Sequence, residues 1–171
     1  MHKERYETEN GRLTLIDEEL GLHLECAFDS EKGARYTHYP DKKIESCCYY
    51  DGELLHGPSI FYSKTGVVLS RSWYIKGVRQ GKMWQYYTSG SLSSVQRYKD
   101  GLLTGKQEYY YEDGKIKSLI FYDSGHLHGE LLLYYPDGKL KRHTYYAHGK
   151  REGTDRIWNP KGVLIQEGAL C

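Results

Sequence analysis

Glycine recurs every 24 residues, at Gly33, Gly57, Gly81, Gly105, Gly129 and Gly153. A second row follows nine residues later, at Gly66, Gly90, Gly114, Gly138 and Gly162, with Lys42 standing in the first unit. A third row lies 20 residues after the leading glycine, at Gly77, Gly101, Gly125 and Gly149, and in the first unit it is displaced to Gly52. A fixed period of this length marks a repeat architecture, in which each unit buries its apolar surface against its neighbours. The spacing predicts an array over residues 33–171, with units beginning at 33, 57, 81, 105, 129 and 153.

The residues between the glycines define each unit. Five positions after the leading glycine stand His38, Tyr62, Tyr86, Tyr110, Tyr134 and Trp158; eleven after stand Ile44, Val68, Leu92, Ile116, Leu140 and Leu164; seventeen after stand Tyr50, Tyr74, Tyr98, Tyr122, Tyr146 and Leu170. The first stretch ends in a pair such as Tyr134-Tyr135, followed by Pro136-Asp137-Gly138. Proline presets φ, aspartate caps the turn and glycine takes the positive-φ position, so a three-residue loop with a glycine bulge is expected. Each unit therefore reads as a β-hairpin. No stretch carries a sustained helical period.

The alternation of strand side chains then places offsets 5, 11 and 17 on one face. The aromatics at offset 16 (Tyr49, Trp73, Phe121, Tyr145) fall on the other. This assignment depends on the turn, because a one-residue slip exchanges the faces. Tyrosine accounts for 18 residues, and aliphatic residues are scarce for a thick core. Tyrosine suits a sheet without a second layer, since its ring packs while its hydroxyl stays wet. The expectation is an all-β fold: an elongated, single-layer antiparallel sheet of tandem hairpins, roughly 58 Å along the strand-stacking direction.

Residues 1–32 break the period. They carry four Lys/Arg against nine Asp/Glu (−5), whereas residues 33–171 carry 20 against 14 (+6). Leu13 to Ile16 and Gly21 to Cys26 alternate as two strands, with Asp17-Glu18-Glu19-Leu20-Gly21 as their turn, so an N-terminal capping hairpin is expected. The charge split leaves two readings: an anion-attracting surface that the acidic leader covers, or a solvated surface beside a short N-terminal element. No run of 18 apolar residues occurs, so no membrane-spanning helix is expected. The opening Met1-His2-Lys3-Glu4-Arg5 leads into charged residues, so no signal peptide is expected, and a cytoplasmic location is the expectation. Cys26, Cys47, Cys48 and Cys171 match no metal or disulfide framework and read as free thiols.

These units resemble the MORN repeat (membrane occupation and recognition nexus), in particular the bacterial variant found in YwqK-type antitoxin proteins. The motif is Gly-x4-Tyr-Tyr-x-Asp-Gly-Lys-x-Lys, then Tyr-x-x-Gly-x-x-x-Gly. It stands at Gly105 to Gly129 and again at Gly129 to Gly153, and the outer units depart from it at Lys42, Gly52 and Asn159. The resemblance implies a sheet of hairpins with a protein-binding role. It also links the family to lipid head groups, scaffold assembly and antitoxin activity, and it carries over no catalytic residue.

The chemistry-bearing constellations are thin. No nucleophile elbow or phosphate loop is present, no cofactor is implied, and an enzyme is not expected. His126 and His128 have a metal-like spacing but fall in a turn and lack a third ligand, so no metal is expected. Lys139, Lys141, Arg142, Lys150 and Arg151 are the best candidates for lipid or anion binding, although membrane attachment is not the favoured reading. Aromatics at strict structural offsets argue against nucleic acid as the partner. The favoured reading is a non-enzymatic interaction or scaffold module whose partner is another protein, held by Tyr62, Tyr86, Tyr110, Tyr134 and Trp158. An antitoxin-like neutraliser and a homodimer formed through a sheet edge or the aromatic face are the alternatives.

Overall fold

The computed structural model describes residues 4–9, 12–27 and 32–170, and these contain strands and turns but no helix. Three strands, β1 (Glu4–Glu9), β2 (Arg12–Asp17) and β3 (Leu22–Ala27), form a small antiparallel sheet of their own. The array follows as β4 (Lys32–His38), β5 (Ile44–Asp51), β6 (Leu54–Tyr62), β7 (Val68–Ile75), β8 (Val78–Tyr86) and β9 (Leu92–Lys99). It continues through β10 (Leu102–Leu103), β11 (Gly105–Tyr110), β12 (Ile116–Asp123), β13 (His126–Tyr134), β14 (Leu140–Ala147), β15 (Lys150–Trp158) and β16 (Leu164–Leu170). These make one 13-stranded antiparallel sheet in sequence order, with β4 and β16 at its edges and β10 pairing only with β9. The all-β sheet of consecutive hairpins expected from the period is therefore the fold.

Two kinds of turn alternate along it. At the first kind the glycine N–H donates back three residues, as Gly90 to the Tyr87 carbonyl (2.9 Å), while the Tyr87 N–H donates to the Ser91 carbonyl (2.9 Å). This is the three-residue loop with a glycine bulge. Lys42 makes the same bond to Tyr39 at 2.8 Å and adopts φ 68°, so the turn survives where its glycine is missing. At the second kind, from the second unit to the fifth, two successive residues have positive φ, as in Asp100-Gly101 (51° and 78°). That is the two-residue turn whose twist matches paired strands.

Each three-residue turn also inserts a bulge. Gln85 pairs with Ser94 but Tyr86 pairs with Leu92, leaving Ser93 as the extra residue, and the shift recurs in every hairpin of the array. The extra residue corrects the face assignment. Tyr86 (offset 5) shares a face with Trp84 and Lys82. Their partners across the strand are Leu92, Val95 and Arg97, at offsets 11, 14 and 16. Offset 17 goes to the opposite face, where Tyr98 lies under the Arg79 guanidinium (4.8 Å) and donates its hydroxyl to Gln96. A strict period of two across the turn misses this, because a bulge opposes two residues to one.

The small N-terminal sheet lies on the face that carries offsets 5, 11, 14 and 16. Along β2 and β3, Leu13, Leu15 and Asp17 pair with Cys26, Leu24 and Leu22, so one side of this sheet is apolar with an acidic corner. Leu15, Cys26 and Trp73 are fully buried together, with Leu13, Leu24 and Ile75 packed around them. At Gly81 an added Cβ would stand 3.0 Å from Leu15, so the absence of a side chain admits the second layer there. The leader, read from sequence as a two-stranded hairpin, is thus a three-stranded sheet laid across the array.

Candidate functional site

Tyr62, Tyr86, Tyr110 and Tyr134 end the first strand of successive units, and Trp158 ends that of the last. Each pairs across its hairpin with the aliphatic residue at offset 11: Tyr62 with Val68, Tyr86 with Leu92, Tyr110 with Ile116, Tyr134 with Leu140 and Trp158 with Leu164. The result is a stripe of half-buried aromatics and half-buried to exposed aliphatics, running perpendicular to the strands. It lies towards the three-residue turns, away from the core under the leader. Between the second and third units it deepens into a cleft of about 350 Å³ lined by Ile60, Tyr62, Val67, Val68, Arg71 and Tyr86. Leu13 of the leader, with Pro58, Ile60 and Arg71, forms the adjoining apolar depression. The two share Ile60 and Arg71, so the leader reaches the neighbourhood of the cleft without lining it.

A second ladder holds the units in register. In the first, third, fourth and fifth units the tyrosine after offset 5 donates its hydroxyl to the carbonyl of the next unit's stripe residue. Tyr39 reaches Tyr62 (2.7 Å), Tyr87 reaches Tyr110 (2.7 Å), Tyr111 reaches Tyr134 (2.7 Å) and Tyr135 reaches Trp158 (2.8 Å). Lysines four residues on add a second strap: Lys43 donates to the Lys64 carbonyl, Lys115 to Pro136 and Lys139 to Pro160, at 3.0–3.1 Å. In the second unit these positions are Ser63 and Val67, and Ser63 bonds within its own turn instead. The cleft sits at that junction. The paired tyrosines are visible in the sequence, but only the first of each pair is a site residue by that pattern. Ser63, standing where Tyr39, Tyr87, Tyr111 and Tyr135 stand in other units, is the sequence signal for the cleft.

Charge gathers under the leader. The Lys82 ammonium meets Asp17 (3.3 Å) and Glu19 (2.9 Å), while the Arg97 guanidinium bonds Glu19 and meets Glu108 at 2.8 Å. Both cations are nearly fully buried. Burial opposes ionisation of Glu19, but hydrogen bonds and charge from Lys82 and Arg97 outweigh it and hold this carboxyl below its ordinary range. Glu108 is likewise held low, its burial outweighed by Lys106 and Arg97. Burial, with Glu108 beside it, raises the Tyr110 phenol. A continuous path thus runs from the leader's Glu19 through Arg97 and Glu108 to the stripe at Tyr110. Of the two readings of the charge split, the acidic leader covering cationic positions matches this arrangement.

The basic residues picked out by sequence are dispersed. Lys139 straps Pro160 and pairs with Asp137 (2.9 Å), and Lys141 lies over the Tyr135 ring, both near the three-residue turn. Arg142 is paired with Asp155 at 2.7 Å. Lys150 and Arg151 stand at the far end of the hairpin, where Arg151 bonds the Tyr146 hydroxyl. His126 faces the Ser124 carbonyl, and His128 receives the His148 N–H at 3.4 Å. Among the described residues no three His, Cys, Asp or Glu side chains converge as metal ligands. Cys26, Cys47 and Cys48 are free thiols; Cys171 lies outside the described residues. Among the described residues no helix is long and apolar enough to cross a membrane.

The family model described as MORN repeat variant matches residues 103–124 and 127–150. These are the two units in which the glycine, tyrosine and lysine spacing is most complete. No curated protein matches the chain.

Proposed function

We propose that this array of MORN-type repeats is a non-catalytic binding module, and that its aromatic stripe receives an extended segment of another protein. One observation carries this reading. Tyr62, Tyr86, Tyr110, Tyr134 and Trp158 stay accessible beside Val68, Leu92, Ile116, Leu140 and Leu164, on the half of the face that the leader leaves uncovered. Rigid aromatics bring large contact area at small entropic cost, which is why they concentrate the energy of protein interfaces. The stripe has the repeat's own spacing, so a bound segment would meet the same pair of side chains at each unit.

The test is affinity capture with the wild-type chain and with a Tyr86→Ala, Tyr110→Ala, Tyr134→Ala variant whose strand signal in circular dichroism is unchanged. The expected result is loss of specific captured proteins from the variant. Retention of every one refutes the stripe as the site. An antitoxin-like role is the narrower case in which the captured protein is a toxin, and co-expression rescue of growth tests that directly.

A further inference from the structure

The leader is itself a ligand seated on the array, and its chemistry describes what that part of the face accepts. We infer that Trp73, Ile75, Gly81, Lys82 and Arg97 form an acceptor site for an acidic strand–turn segment. The leader fills this site in cis, and a partner protein presenting the same chemistry competes for it in trans. This site is separate from the stripe, and the inference does not rest on the stripe's being a binding surface.

Four observations converge. First, among the described residues no strand pairing joins β1–β3 to the large sheet, and the contacts between the two are made by side chains. Second, the contact has two matched halves. Leu13, Leu15, Leu24 and Cys26 meet Trp73 and Ile75, while Asp17 and Glu19 meet Lys82 and Arg97. Third, one receiving residue departs from the repeat: offset 16 is aromatic at Tyr49, Trp73, Phe121 and Tyr145 but is Arg97 in the third unit. The aromatic row gives no reason to place a second cation beside Lys82. Fourth, the acid is presented in a formed turn: Asp17 Oδ1 accepts the Glu19 and Leu20 N–H groups at 3.1 and 3.3 Å, which fixes Glu19 towards both cations. A competitor therefore needs apolar residues alternating along a strand and a carboxylate-bearing turn at its end. Buried charges left unpaired are costly, so the site favours exchange of one acidic segment for another over standing empty.

Cys26 reports occupancy. It is fully buried at this contact, and burial, with the charge of Asp51, pushes its thiol up to about 12. Its alkylation at neutral pH is therefore slow while the leader is seated. The experiment uses the full chain and a synthetic peptide of residues 12–27 carrying Cys26→Ser. Excess peptide should accelerate iodoacetamide labelling of Cys26 severalfold, read by peptide mass spectrometry, and a scrambled peptide of equal charge should not. In a second arm, fluorescent peptide should bind a full-length Leu15→Asp variant on the order of tenfold tighter than wild type. Adding Lys82→Glu should abolish that gain, and a Glu19→Lys peptide should restore part of it. Equal labelling with scrambled peptide, or equal competition by single-stranded DNA, would reduce the site to a generic anion patch and overturn the inference. So would unchanged Cys26 labelling together with no binding to a Leu15→Asp variant that keeps its strand signal. Binding that survives in a Tyr86→Ala, Tyr110→Ala background separates this site from the stripe.

Discussion

Residues 57–108 and residues 129–170 are cut from the same repeat but solve the problem of a thin core differently. In the later units a residue such as Tyr145 stands 41% exposed at offset 16, and the units hold together through the Tyr135 and Lys139 straps. In the earlier units offset 16 is the fully buried Trp73 and then the buried Arg97, both under a second layer, and in the second unit Ser63 and Val67 stand where the straps would be. A single-layer sheet can be stabilised by gripping the next unit or by being covered. The covered region is the one in which two cations, Lys82 and Arg97, are buried side by side, and the cleft opens beside it.

The contrast breaks most sharply at offset 16. Trp73→Ala removes the centre of the covered core and should destabilise by about 3–5 kcal/mol. Tyr145→Ala, at the same offset in the open region, should cost less than about 1 kcal/mol. Urea unfolding of the two variants measures both, and equal losses would mean that the leader adds no core.

Ion pairs sharpen the same comparison. Lys82→Ala leaves the buried Asp17 carboxylate without its cation, while the more open Glu19 keeps Arg97, and should cost about 3 kcal/mol. Arg156→Ala breaks an exposed pair with Glu167 and should cost less than about 1 kcal/mol. The pH dependence follows from the depressed Glu19 and Glu108 carboxyls. A folded-state value below the unfolded one contributes stability that is present above the unfolded value, near pH 4.5, and is lost as pH falls through the folded value. Unfolding midpoints should therefore hold steady from neutral pH to about pH 5 and then drop, with the drop blunted in a Glu19→Gln variant.

The turns were legible in the sequence because their chemistry is local: a positive φ asks for glycine, and Pro136-Asp137-Gly138 announces itself. Even the first unit, with Lys42 in place of glycine, keeps the same turn because its neighbours dictate it. The faces were less legible. The residue added by each bulge, Ser93 in the third unit, reverses the parity of everything after it, which moved Tyr98 away from Tyr86. The stripe at offsets 5 and 11 survived because both lie before the extra residue. The acceptor site under the leader was legible only as a charge imbalance. Its geometry depends on contacts between residues as distant as Glu19 and Arg97, which no local pattern encodes.

The smallest effect tests the open region's own device. Tyr135→Phe deletes one hydroxyl and leaves the ring, so it removes only the 2.8 Å bond to the Trp158 carbonyl. A half-buried bond of this kind contributes about 1 kcal/mol. In a repeat array that loss is local to one junction and does not spread through the sheet. Amide exchange should therefore quicken in β15 and β16, beyond the broken strap, and stay unchanged in β4 and β5 at the opposite edge. Tyr87→Phe provides the internal control. Its strap runs to Tyr110, at the border of the covered region, where the leader's contacts through Arg97 and Glu108 also hold the third and fourth units together. The same chemical change should then produce a smaller rise in exchange at β11 than Tyr135→Phe produces at β15. Equal rises would show that the second layer contributes nothing to unit-to-unit cohesion, and the two regions would differ in appearance only.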